Sequence, residues 1–145
     1  MAASIRAKLS SAAAYEGVPA WARASLDAHR ADERPDRYPL AVLERAETKD
    51  VVWNAAQREL LETGTIHNYL RMLWGKKILE WSDSPEEAFR ITVLLNDRYA
   101  LDGRDPNSYA GISWIFGRYD RPWAPIRPIF GCIRYMSSTN ARKKL

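Results

Sequence analysis

The sequence predicts an all-α fold, and three observations carry that expectation. Apolar residues recur near the 3.6-residue period over long stretches. Helix start and stop signals bracket those stretches. No stretch sustains the period-two alternation of a half-buried strand, and no internal repeat is present. With 145 residues the chain is long enough for one domain and not two. Its 46% hydrophobic and 28% charged composition is that of a soluble globular protein. That excludes a disordered, collagen-like or low-complexity chain.

Residues 1–14 are rich in Ala and Ser, show no apolar stripe and read as a lead, leaving 15–145 as the domain. Gly17 and Pro19 mark a turn. Residues 21–30 have helical spacing, with Trp21, Ala22 and Leu26 on one side. The polar stretch 31–39 holds two prolines and reads as a loop, and 40–46 as a short helix. Asp50 is placed to cap the next helix, whose apolar face reads as Val51, Val52, Ala55, Leu60 and Leu61, with Gly64 as its stop. A helix over 66–81 follows from Ile66, Leu70, Leu73, Trp74, Ile78 and Trp81. Ser84-Pro85-Glu86-Glu87 reads as a capping box with proline at the first helical position, opening a helix to about residue 99. Asp105-Pro106 opens another that ends near Gly117. The remainder, with Pro122, Pro125 and Pro128, reads as a long structured loop, and a short basic helix is expected to close the chain.

Several classes of function fall away. No run of 18 apolar residues and no apolar leader are present, so neither a membrane span nor secretion is expected and the cytoplasm is the default. The lone Cys132 permits no internal disulfide, and with only His29 and His67 no metal centre is expected. The six tryptophans read first as core or interface anchors. Charge is unevenly placed. The net charge is +4, yet residues 117–145 carry +6 and the rest −2. Arg118, Arg121, Arg127 and Arg134 alternate there with Tyr119, Trp123, Phe130 and Tyr135. Such a pattern suits a polyanion, with bases stacked on rings and arginines on phosphates. The plainer alternative is a solvated charged surface over ordinary core aromatics.

Certain runs are more specific. They are Val52-Trp53-Asn54-Ala55-Ala56-Gln57; then His67-Asn68-Tyr69-Leu70-Arg71-Met72-Leu73-Trp74-Gly75-Lys76-Lys77-Ile78-Leu79-Glu80-Trp81; then Leu95-Asn96-Asp97, Leu101-Asp102-Gly103-Arg104-Asp105-Pro106-Asn107 and Phe130-Gly131-Cys132-Ile133-Arg134-Tyr135-Met136. In this order they resemble the C-terminal half of the FAD-binding helical domain of class II cyclobutane pyrimidine dimer photolyases, a branch of the photolyase/cryptochrome family. The resemblance runs from about Tyr15 to the end of the chain. It implies FAD as cofactor and dimer-containing DNA as partner, with an electron passing from photoexcited reduced flavin to a flipped-out dimer.

The resemblance also implies roles. Asn96 matches an asparagine facing flavin N5, where an amide can donate or accept; the plainer reading is solvation of a helix end. Arg71 and Asp102 match a salt-bridged pair beside the flavin ring, and Asp105 joins the cofactor-binding set. Trp53, Trp74 and Trp81 match an electron-transfer chain, against the alternative of a tryptophan-rich core. Trp114 matches a tryptophan stacked on the dimer, with Asn107 and Tyr109 on the same segment. Arg121, Arg127 and Arg134 fall in the segment that touches DNA. His67 reads as structural.

The family's N-terminal antenna domain and the first half of its helical domain have no counterpart in this sequence. The loop that holds the FAD phosphates belongs to that portion, so FAD binding is expected to be weaker by several kcal/mol at about 1.5–3 kcal/mol per charged hydrogen bond. Self-association, or a partner chain over the open flavin face, is expected to cover the surface left bare. Three readings follow: a light-dependent repair protein, a flavin-free module that binds damaged DNA, and a cryptochrome-like flavin photosensor.

Overall fold

A computed structural model describes residues 15–101 and 106–139, and of Asn68 and 106–109 the backbone alone. Its helices are α1 (Ala20–Ala28), α2 (Leu40–Glu44), α3 (Val51–Thr63), α4 (Asn68–Trp81), α5 (Pro85–Tyr99) and α6 (Pro106–Ile115). No strand occurs among the described residues; the one β feature is an isolated antiparallel bridge between Arg127 and Gly131. The all-α expectation therefore stands. The lead 1–14 and the expected closing helix lie outside the described residues.

The N-cap and stop signals work as read, while the reciprocal Glu87 half of the capping box is replaced by a bond to Arg90. Asp50 Oδ1 accepts from Trp53 N at 3.0 Å, and α3 stops at Gly64. His67 is structural: its Nδ1 accepts from Tyr69 N and starts α4. Ser84 Oγ accepts from Glu87 N at 3.1 Å, and the Glu87 carboxylate is gripped by Arg90 one turn on.

The buried face of α3 differs from the expected one. Val51 is 71% exposed, and Ala55 and Leu61 also face solvent. Trp53, Asn54, Ala56, Gln57 and Leu60 are the residues turned inward. Two amides lie on that face because the interior satisfies them. Asn54 Nδ2 donates to Thr48 O, and its Oδ1 accepts from Thr48 N and Oγ1. Gln57 donates to Glu44 O and accepts from Trp74 Nε1. A polar group with internal partners carries little burial penalty, so hydrophobicity alone selects the wrong stripe.

α4 is the middle of the fold, packed against α3, α5 and α6. Leu73, Trp74, Lys76, Ile78, Leu79 and Trp81 are all buried on it. A helix enclosed on several faces loses its single apolar stripe.

Residues 116–137 form the long loop. Trp123 N donates to Cys132 O at 2.7 Å, and Arg127 and Gly131 pair across a tight turn. Two latches hold the loop on the α1 side. Cys132 N donates to Ser25 Oγ at 2.9 Å, and Ile129 N to Asp32 Oδ2 at 3.0 Å, a carboxylate that also holds His29 Nδ1 at 2.6 Å. Ile129 sits at φ 71°, a strained value for a β-branched residue. The Asp32 latch and the burial of Ile129 and Phe130 hold it there. Phe130 corrects an expectation: at 2% exposure it anchors the loop in the core and offers no face to a base.

Gly117 marks the exit from α6, at φ 119° with an ideal Cβ only 2.7 Å from Ala22 Cβ. Gly117→Ala combines a disfavoured backbone with a clash against a helix. It is expected to lower the unfolding free energy by about 2–3 kcal/mol, read as a lower urea midpoint at unchanged slope.

Candidate functional site

Trp53, on α3, and Trp74 and Trp81, on α4, are brought together in the core at 0%, 1% and 3% exposure. The rings of Trp53 and Trp81 meet edge to face at 5.4 Å, and Tyr38 packs on the far side of Trp81 at 5.0 Å. Trp53 Nε1 donates to Trp74 O at 2.9 Å, and Trp74 Nε1 to Gln57 Oε1 at 2.8 Å. Lys77 stands 5.8 Å from the Trp81 ring and is held by Glu80 and, at 3.8 Å, by Asp50. The Trp53 and Trp81 rings are thus in direct contact, and Trp74 is tied to Trp53 through its backbone carbonyl.

Asn96 is 2% exposed on α5, which overturns its reading as a solvated helix end. Arg71 is half-buried on α4. Asp102 and Asp105 lie outside the described residues, as do the side chains of Asn107 and Tyr109. The chemistry of the described groups suits a flavin ring: a guanidinium for an anionic form and an amide that donates or accepts.

The opposite end of the site is exposed and basic. Trp114, near the end of α6, is 46% exposed and meets Tyr119 edge to face at 6.4 Å. Arg118 stacks on Tyr119 at 4.8 Å. Trp123 lies between Arg121 at 4.9 Å and Arg134 at 5.5 Å, its Nε1 bonded to Asp120. Arg127 covers Tyr135 at 4.4 Å. These cation–π contacts hold four guanidiniums on aromatic faces, with Arg121 and Arg127 exposed and Arg118 and Arg134 half-buried. They bring Arg121, Arg127 and Arg134 into one loop surface and add Arg118 to it.

A cleft of about 850 Å³ lies between 29–36 and 126–135, with Trp81 in its wall. Trp74, Arg71, Asn96 and Trp114 do not line it. Among the described residues no group of three or more His, Cys, Asp or Glu side chains is placed to hold a metal. No helix there is long and apolar enough to cross a membrane.

Sequence reasoning missed Gln57, the acceptor for Trp74, and Lys76. Lys76 is 0% exposed and donates its Nζ to Ile115 O. Burial pushes its ammonium down from the ordinary 10.5 to about 7, with Asp120 working against the shift and Arg134 with it. The helical period places residue 76 away from the recognised α4 stripe, so the sequence signals a solvated lysine.

Curated proteins are similar to this chain in sequence. The chain is 53% identical over 127 residues to the deoxyribodipyrimidine photo-lyase of Methanothermobacter thermautotrophicus, a match covering 88% of this chain and 28% of that protein. It resembles part of a photo-lyase. The photo-lyase of Potorous tridactylus is 49% identical over 130 residues, covering 89% of this chain and 24% of its own length. That of Oryza sativa subsp. japonica is 46% identical over 129 residues, covering 88% and 25%. The chain therefore spans about a quarter of the length of the curated photo-lyases it matches. No family model matches it.

Lys76 gives a pH signature. Between its folded value near 7 and its ordinary 10.5, the unfolded chain binds more protons at this amine than the folded one. The unfolding free energy is therefore expected to rise with pH across that window, by up to about 1.4 kcal/mol per pH unit. Urea midpoints at pH 7.5 and 9 measure it, and Lys76→Met is expected to flatten the rise.

Proposed function

We propose that this chain acts as a class II photolyase-like protein in the light-dependent repair of cyclobutane pyrimidine dimers in DNA. The observation that carries the reading is a buried, hydrogen-bonded tryptophan set together with two exposed tryptophans, Trp114 and the arginine-flanked Trp123, within one small fold. The 46–53% identity to photo-lyases over nearly nine-tenths of the chain supports it.

Reduced FAD, when bound, supplies the photoexcited electron that splits the dimer. In this reading Arg71 and Asn96 hold its ring, joined by Asp102 and Asp105. Arg71 favours anionic ring states electrostatically, and Asn96 serves N5 as donor or acceptor. Trp74, Trp53 and Trp81 relay electrons inward from the surface side. The acceptors chosen for two of the indole N–H groups matter here. An oxidised indole is far more acidic at nitrogen than a neutral one, but an amide oxygen and a backbone carbonyl are poor bases. Neither takes the proton, so an electron vacancy is not trapped at Trp53 or Trp74 and can move on.

On the DNA side, Trp114 and Tyr119 supply ring faces to unstacked bases, with Asn107 and Tyr109 on the same helix. Arg118, Arg121, Arg127 and Arg134 meet phosphates. Two to four such contacts correspond to a slope of about −2 to −4 in log affinity against log salt.

The test combines the spectrum of bound flavin with repair of a thymine-dimer oligonucleotide in light and in darkness. Repair is expected in light only. Trp53→Phe is expected to slow flavin photoreduction at least about tenfold, and Trp114→Ala to remove about 1–3 kcal/mol of preference for damaged over intact DNA, the worth of one stacked base. Equal repair in the dark overturns the reading. A colourless protein with steeply salt-dependent binding to damaged DNA supports the flavin-free module instead; flavin photoreduction without repair supports the photosensor.

A further inference from the structure

Two consecutive residues of α4, Gly75 and Lys76, meet the C-terminal end of α6. Trp74 faces the indole set. Gly75 lets the helices close up: an added Cβ would stand 2.4 Å from Ile115 Cδ1. Lys76 buries its whole side chain and donates to Ile115 O. Other carbonyls of the last turn of α6 are taken locally. Ser113 O accepts from Phe116 N and Arg118 N, and Trp114 O from Gly117 N. The carbonyl of the terminal helical residue is instead taken by a side chain from a different helix. An amine at this position also faces the negative end of the helix dipole. Trp114 is one residue away and exposed.

We propose that Lys76 is a positioning residue for Trp114, tying the end of α6 to the core so that the exposed indole keeps one placement. The inference rests on the reading of Trp114 as the ring that stacks on the lesion. Two charged groups face the amine: Asp120, which favours the ammonium, and Arg134, which opposes it. Burial opposes it most, so the lysine exchanges its proton near neutral pH. The ammonium makes a charge-assisted bond to Ile115 O and the neutral amine a weaker one. The way Lys76 holds the end of α6 therefore differs between pH 6 and pH 8.5.

The test is fluorine NMR on the full chain labelled with 5-fluorotryptophan, with the Trp114 resonance assigned by Trp114→Phe. In the unsubstituted protein that resonance is expected to move between pH 5.5 and 8.5 with a midpoint near 7. The movement should persist in His29→Gln/His67→Asn, which removes both imidazoles as its source, and vanish in Lys76→Met. Lesion-DNA affinity is expected to fall at least about fivefold in Lys76→Met, with intact-duplex affinity changed less than twofold. A Trp114 resonance that does not titrate, or one unchanged in position and titration in folded Lys76→Met, overturns the proposal. If Lys76→Met does not fold, the titration of the histidine variant decides alone. If the unsubstituted protein does not prefer damaged DNA, the reading of Trp114 fails, while the fluorine titration still decides whether Lys76 places the indole.

Discussion

The enclosure of α4 is the constraint on which the rest depends. With α3, α5 and α6 packed around it, each polar group it carries inward must find a protein partner. Trp74 Nε1 finds Gln57, Trp74 O takes the Trp53 indole, and Lys76 finds Ile115 O. These bonds do two jobs at once. They satisfy buried groups, and they fix the indoles of α3 and α4 relative to each other and the end of α6 relative to both. A core of hydrocarbon alone fills space but leaves more freedom of rotation and sliding.

The basic loop is held by a different principle. It has few ladder bonds of its own and is fastened at points: Ser25 to Cys132, Asp32 to Ile129, and the buried Ile129, Phe130 and Ile133. Between those points its arginines lie on rings, so they are ordered without being neutralised. A salt bridge orders a guanidinium by cancelling its charge, whereas an aromatic face leaves the charge available to an outside anion. The strained φ of Ile129 is stored in this loop.

The two regions meet at α6. Its helix begins beyond the undescribed 102–105 segment, packs on α4 and α5, and delivers Trp114 to the surface just before the loop departs. The Gly75–Ile115 approach therefore lies next in sequence to Trp74 on one helix and to Trp114 on the other. The identity to the photo-lyases extends over both regions, since it covers 88–89% of the chain.

Much of this was legible in the residues. Asp50, His67, Ser84 and Gly64 set helix ends by local bonding, which sequence spacing reports directly. Trp53, Trp74 and Trp81 were legible through their motifs. The inward turn of Asn54 and Gln57, the exposure of Val51, the burial of Phe130 and the burial of Lys76 were not. Each depends on a partner distant in sequence or on how many neighbours enclose a helix, and neither is visible to a one-dimensional period. Local chemistry determined where helices start and stop and which end of the chain is basic. Only the tertiary structure decided which faces went inside, because burial of a polar group is settled by the partner it meets there.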